Sequence, residues 1–247
     1  MKPYVLEVCA GDVQSAEAAR RGGAARVELC AALAEGGVTP SAAFVREVCK
    51  MEGLAVHVLI RPRGGDFLYD EQEVRMMVDD ILLMREWGVD GVVIGALTSD
   101  GLVDTAACRR FVDAAGGLHV TFHRAFDLCR DPFEALEVIC DLGCDRLLTS
   151  GQAQTAEAGI PLLRELVRRS EGRLSVMPGS GVSAKNARRI LAETGASELH
   201  ASARRVFHSA MAYRRPGVNM GVPGMDEFAR KATDEDEVRA LLECMNG

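Results

Sequence analysis

The 247-residue chain has no apolar run approaching the length of a bilayer-spanning helix, which needs about 20 residues. Nor does it show the apolar core of a secretory leader ahead of its first strand-like pattern, which starts within a few residues of the N-terminus. The expected location is therefore the cytoplasm. A basic excess is also missing: the net charge is −7, whereas nucleic-acid and anionic-membrane partners call for a basic face. Small molecules or ions are the expected ligands. The eight cysteines, at positions 9, 30, 49, 108, 129, 140, 144 and 244, include no C-x-x-C pair. In a reducing compartment they are expected as thiols rather than disulfides. Proline is scarce as well, 8 against 25 glycines in a chain that is 48% hydrophobic, the make-up of an ordinary globular domain. The length is close to the ~250 residues of a single (β/α)8 barrel, so one domain over residues 1–247 is expected.

What is present repeats. Gly23-Ala-Ala-Arg-Val-Glu-Leu-Cys30, Gly88-Val-Asp-Gly-Val-Val-Ile-Gly95, Gly143-Cys-Asp-Arg-Leu-Leu-Thr-Ser150 and Gly195-Ala-Ser-Glu-Leu-His-Ala-Ser202 align without gaps. Each follows a helix-like run and opens with a glycine suited to a left-handed helix end before a short apolar strand. Read as even-numbered strands, they interleave with Tyr4 to Cys9, Leu54 to Arg61, His119 to Arg124 and Leu174 to Met177 as odd-numbered ones. Strands alternating with helices point to a parallel TIM-type barrel of the α/β class. Asp12, Asp104, Asp131 and Ser183 stand where helix N-caps belong. Residues 71–87 place Val74, Met77, Val78, Ile81 and Met84 or Leu82 on one helical stripe. Residues 61–70, with the Gly64-Gly65 pair, form a candidate lid, and residues 203–233 form a long segment without clear period before the last helix.

Strand parity turns this outline into a candidate site, because side chains alternate with period two and the C-terminal strand ends of a barrel carry function. Leu6 and Val8 facing the helices turn Glu7 and Cys9 inward; Val27 and Leu29 outward leave Glu28 and Cys30 inward; strand 3 sends in His57, Leu59 and Arg61. Glu7 and Glu28 are then expected as neighbours with Cys9 and Cys30 above them. Thr121, His123, Ser150, Ser175, Met177, His200 and Ser202 follow from the later strands. His57 and His119 lie low on their strands and read as core or bottom-face residues, whereas His123 and His200 sit among other inward polar groups. Adjacent strands run only ~4.8 Å apart, so two thiols at their ends can reach one ion, and soft thiolates without four ligands favour Cu(I) over structural zinc. Simple burial as core thiols is the alternative reading of the same two residues.

The motifs Glu7-Val-Cys9, Gly22-Gly-Ala-Ala-Arg-Val-Glu-Leu-Cys30, Glu35-Gly-Gly-Val-Thr-Pro-Ser41, Ile60-Arg-Pro-Arg-Gly-Gly-Asp-Phe-Leu-Tyr69, Thr121-Phe-His-Arg-Ala-Phe-Asp127 and Leu148-Thr-Ser-Gly151 occur in an order that resembles the CutC family of copper homeostasis proteins. The resemblance spans nearly the whole barrel. It implies a TIM-type fold, a cytoplasmic location, homo-oligomers (often dimers), and copper handling through cysteines that match Cys9 and Cys30. After strand 7 the chain has Pro178-Gly-Ser-Gly-Val182 where the family more often has Gly-Gly-Gly-Ile.

Two functions fit these residues. One is a Cu(I)-binding protein with Cys9 and Cys30 as ligands, assisted by Met177 or a histidine. The other is a barrel enzyme for a small anionic or phosphorylated metabolite, with Glu7 or Glu28 as base, His123 as acid or base, Arg61 and Arg124 as charge stabilisers, and Asp127 pairing Arg124. For the second, Gly179, Ser180 and Gly181, joined by Ser202 and Arg204 and by a helix starting at Ser183, are expected to cradle a phosphate-sized anion.

Overall fold

The computed structural model describes residues 4–215, 217–218 and 226–247. Eight parallel strands form the inner wall: β1 Val5–Ala10, β2 Arg26–Leu29, β3 Ala55–Leu59, β4 Gly91–Ile94, β5 His119–Phe122, β6 Arg146–Thr149, β7 Ser175–Pro178 and β8 Glu198–Ala201. Outside them lie α1 Val13–Gly22, α2 Ala42–Val48, α3 Glu71–Glu86, α4 Thr105–Ala115, α5 Pro132–Leu142, α6 Ile160–Ser170 and α7 Ala187–Thr194, and α8 Glu235–Asn246 ends the chain. This is the β/α alternation of a TIM-type barrel. The four repeat glycines, Gly23, Gly88, Gly143 and Gly195, all take positive φ at the turn from a helix into an even-numbered strand, where a side chain would meet the following carbonyl.

The sheet order is β7-β6-β5-β4-β3-β2-β1-β8, so the wall is hydrogen-bonded everywhere except between β7 and β8. The reason lies in β7. The amides of Ser175 and Gly179 donate to Asp145 and Thr149 on the β6 side; in a parallel strand the intervening amides then face β8, and there position 178 is proline, which has no N–H. The barrel is nearly closed, with one seam.

Parity holds along the wall. Leu6, Val8, Val27, Leu29, Val56, Val58 and Ile60 belong to the large core between sheet and helices, whereas Cys9, Cys30, Leu59 and Val93 form a separate cluster inside the barrel. On α3 the side chains of Val74, Met77, Ile81 and Met84 are buried, and Val78 and Leu82 pack against the same core. Asp12, Asp104 and Asp131 cap α1, α4 and α5 as expected. Ser183 does not cap α7: its amide is taken by the Asn186 side chain at 2.9 Å in a local turn, and the helix starts at Ala187. Within 203–233, β9 Arg204–His208 pairs antiparallel with β10 Ala229–Thr233. This hairpin is tied to α1 by Arg230 to Asp12 at 3.0 Å and by the Thr233 amide to the Ser15 hydroxyl at 3.3 Å. No described helix is long and apolar enough to cross a membrane.

Candidate functional site at the barrel mouth

A cavity of about 150 Å³ opens at the C-terminal strand ends, walled by Cys9, Glu28, Cys30, Arg61, His123 and His200 and roofed by Leu33 and Phe67. The strand stagger of the barrel changes one expected pairing. Glu7 lies level with Arg26, and it is Cys9 that lies level with Glu28. The two carboxylates are therefore stacked in different layers rather than side by side, and Cys30 stands a step above Cys9. The thiols still share the same inner cluster. Burial pushes the Cys30 thiol well above its ordinary range, and the neighbouring Cys9 and Glu28 add to the effect. Arg204, at the start of β9, donates to the Cys9 sulfur at 3.4 Å.

Beneath the cavity runs a ladder of charge. Arg26 binds Glu7 and, at 2.5 Å, Glu198; Arg146 adds a second bond to Glu198 at 3.0 Å. Two arginines against two carboxylates balance, which is what burial of such groups demands. The Met177 sulfur accepts from Arg26 at 3.3 Å, so it is engaged in this layer below the thiols. Glu7 is fully buried; burial opposes its charge, but the bond from His200 and the Arg26 guanidinium hold it well below the usual carboxylate range. His200 Nδ1 meets Glu7 at 2.8 Å, and its Nε2 faces Glu28 at 3.6 Å. Burial pulls His200 down, yet Glu28, Cys9 and Glu7 together hold it well above its ordinary value. Burial likewise pushes Glu28 up to about 7 against the pull of His200. The Glu28–His200 pair thus puts a carboxyl and an imidazole, both shifted upward, within reach of one proton on the cavity wall. His57, expected in the core, is buried below the cavity with Nδ1 3.8 Å from Glu7, and burial lowers it to about 4. His119 is exposed at the bottom beside Asp145.

The loops divide into those that face the cavity and those that hold shape. Arg61 donates to the backbone carbonyls of Glu35, Gly37 and Gly65 at 2.6–3.1 Å and stacks over Phe67 at 4.8 Å, which pins the 61–70 loop across the mouth. Arg124 reaches the rim and pairs with Asp127 at 2.7 Å. Asp127 itself is occupied by the loop after β6: it accepts from the Thr149 hydroxyl at 2.5 Å, from the Ser150 amide and hydroxyl at 3.1 and 3.0 Å, and from the Gln152 amide at 3.1 Å. Its place is in a clamp joining two loops, outside the cavity lining. The Gly179-Ser180-Gly181 turn packs on the same loop: the Gly179 amide goes to Thr149, the Ser180 hydroxyl to the Gln154 carbonyl at 3.0 Å, and Thr155 lies 3.0 Å from where a Cβ on Gly181 would stand. The carbonyl of Ser202 accepts from the Thr233 hydroxyl at 3.3 Å.

Arg26, Arg146 and Glu198 were not anticipated as interior residues. Parity marks all three, since Arg26 and Glu28, Arg146 and Leu148, and Glu198 and His200 are two apart, but charges at strand beginnings read as solvated bottom-face groups. Among the described residues no group of three or more His, Cys, Asp and Glu side chains is arranged to hold a metal.

Comparisons with known proteins agree with this architecture. Residues 4–205 match the model of the CutC family. A Bacteroides fragilis CutC is 51% identical, with 99% of this chain and 98% of the relative aligned; the human copper homeostasis protein cutC homolog is 46% identical over 96% of this chain and 88% of its own. Among solved structures, a CutC from Streptococcus agalactiae superposes with a TM-score of 0.76 at 35% identity, covering 81% of this chain and 98% of that one. An aldolase barrel at 14% identity and a TM-score of 0.60, covering 79% of this chain and 89% of its own, shares the fold alone. With the family model running from the first strand through the eighth and curated relatives aligned over almost their full length, this chain belongs to the CutC family.

Proposed function

We propose that this protein binds Cu(I) through Cys9 and Cys30 at the barrel mouth, as a cytoplasmic copper-handling protein. The observation that carries the reading is the pair itself: two free cysteines that share one small inner cluster and border one cavity. Soft thiolates select Cu(I), and two of them suffice for a linear site. The copper-homeostasis name of the mammalian relatives supports the assignment. Eight free thiols suit a reducing compartment. Exposed Val206, Met211 and Tyr213 on and beside β9 offer an apolar surface for a homodimer or higher homo-oligomer, measurable by sedimentation. The test of copper binding is competition with a chromogenic Cu(I) chelator under reducing conditions. Replacing Cys9 and Cys30 by serine should abolish stoichiometric binding while leaving the circular-dichroism spectrum intact; unchanged stoichiometry rejects the assignment.

A second reading, acid–base chemistry on a small anionic metabolite, is favoured by Glu28, which stands on the cavity wall with His200 behind it and Arg61 and Arg124 at the rim. Glu7, in the layer below and bound to Arg26 and His200, serves this reading as the group that orients His200.

A further inference from the structure

His123 carries a buried ring nitrogen, Nε2, that has no hydrogen-bond partner. An orphaned polar atom of this kind is costly in an interior unless something else supplies the partner. The tautomer is set by geometry: the Ala125 amide donates to Nδ1 at 3.2 Å, so Nδ1 bears the lone pair and the proton sits on Nε2. The ring is also locked. Phe67 packs on it with centroids 4.9 Å apart, and its Nδ1 and Cε1 lie 2.5 Å from where a Cβ on Gly95 would stand, so only glycine leaves room for it there. Burial and the nearby Arg61 charge hold the imidazole neutral, pushing it down to about 3. His123 is therefore a fixed, uncharged N–H donor on the wall of the mouth cavity.

Two other features of the cavity say what kind of acceptor it awaits. Arg61 is immobilised by three backbone carbonyls that bond its Nη1 and Nη2 without neutralising it, its buried Nε has no partner, and its positive charge stands beside His123. Across the barrel, on β2, Glu28 offers a carboxyl oxygen to a hydroxyl. At about 150 Å³ the space is well below the ~300–1,000 Å³ of sites for drug-sized ligands.

We propose that the cavity is a binding site for a small α-hydroxycarboxylate, whose carboxylate accepts a hydrogen bond from His123 Nε2–H beside the Arg61 charge while its hydroxyl meets Glu28. The proposal rests on the small-anion reading above and assigns it a ligand class and a recognition atom. Nothing in it requires the anion cradle expected after β7, where the Gly179 and Ser183 amides are already bonded.

The test uses glycolate as probe, with its neutral isostere glycolamide as control, titrated into the purified, metal-free protein. Calorimetry gives affinity, and 15N-edited NMR of the histidine rings reports His123 directly. Saturable glycolate binding is expected, at least tenfold tighter than glycolamide, with a shift of the His123 Nε2–H resonance. His123→Ala should weaken glycolate binding at least tenfold, and His123→Gln, which restores an N–H donor, should recover part of it. If glycolate binds but His123→Ala binds it equally well and the ring resonance stays put, the role of His123 is overturned while the small-anion reading survives. If the wild-type protein shows no saturable glycolate binding, that reading fails with it. The wild-type ring resonance decides the question even if the alanine variant does not fold.

Discussion

The neutral state of His123 has a cost at low pH that can be measured. An unfolded histidine takes up a proton near pH 6.5, whereas His123 in the folded chain is pushed down to about 3 by burial and then by Arg61. Between those values the unfolded state binds a proton that the native state refuses, so stability is complete above about pH 6.5 and declines as pH falls through that window. At pH 5 the shortfall amounts to about 1.5 pH units of linkage at 1.36 kcal/mol each, or about 2 kcal/mol. His57, lowered to about 4 chiefly by burial, obeys the same sign and contributes about 2 kcal/mol more at that pH. Urea unfolding of the wild type and of His123→Gln at pH 7 and pH 5 isolates the first contribution, because every other titrating group is common to both. The variant should be less stable at pH 7 and should lose about 2 kcal/mol less than wild type on acidification. Equal losses in the two proteins would mean that His123 titrates normally, and the reasoning from a fixed neutral donor would collapse.

Three further outcomes follow from the packing. Asp127→Ala strips the acceptor from four hydrogen bonds of the loop after β6 and from Arg124, and thermal unfolding should show a loss of about 3–5 kcal/mol. Arg26→Met leaves Glu7 and Glu198 buried without their shared cation; a loss of about 3–5 kcal/mol is expected, and adding Glu198→Gln should restore part of it in the same denaturation assay. Gly95→Ala drives a methyl group to within 2.5 Å of the His123 ring, so it should cost about 1–3 kcal/mol and displace the His123 resonance in the ring NMR spectrum.

The barrel was legible because its signals are local: a glycine ahead of each even-numbered strand, a short apolar strand, an aspartate cap on several helices. Parity needs only the order of residues within a strand, and it correctly turned Cys9, Glu28, Cys30, Arg61, His123 and His200 toward the interior. Register between strands is a different kind of information. The expected Glu7–Glu28 adjacency became Glu7–Arg26 and Cys9–Glu28 because stagger is set by closure of the whole wall, and no single strand encodes it. The Ser183 cap gave way to Asn186 through a side-chain bond three residues away that competes with a helix start. The 203–233 segment hid its hairpin for a simpler reason: in β9 and β10 only Ala232 and Thr233, adjacent in sequence, are buried, so no alternating buried face imposes a period on the sequence.

The interior charge ladder also bears on how the chain is made. Glu7 and Arg26 leave the ribosome early, while Glu198, which shares the same guanidinium, is synthesised after β7, and β8 must pair with β1 to bring it in. Until then the N-terminal strands carry charges whose desolvation lacks a full set of partners, so a partial sheet keeps these side chains in water instead of sealing around them. Such an arrangement penalises premature collapse of the nascent half-barrel and makes the joining of first and last strands the step at which the interior dries. Truncated chains ending before Glu198 should accordingly stay open and protease-sensitive along β1 and β2.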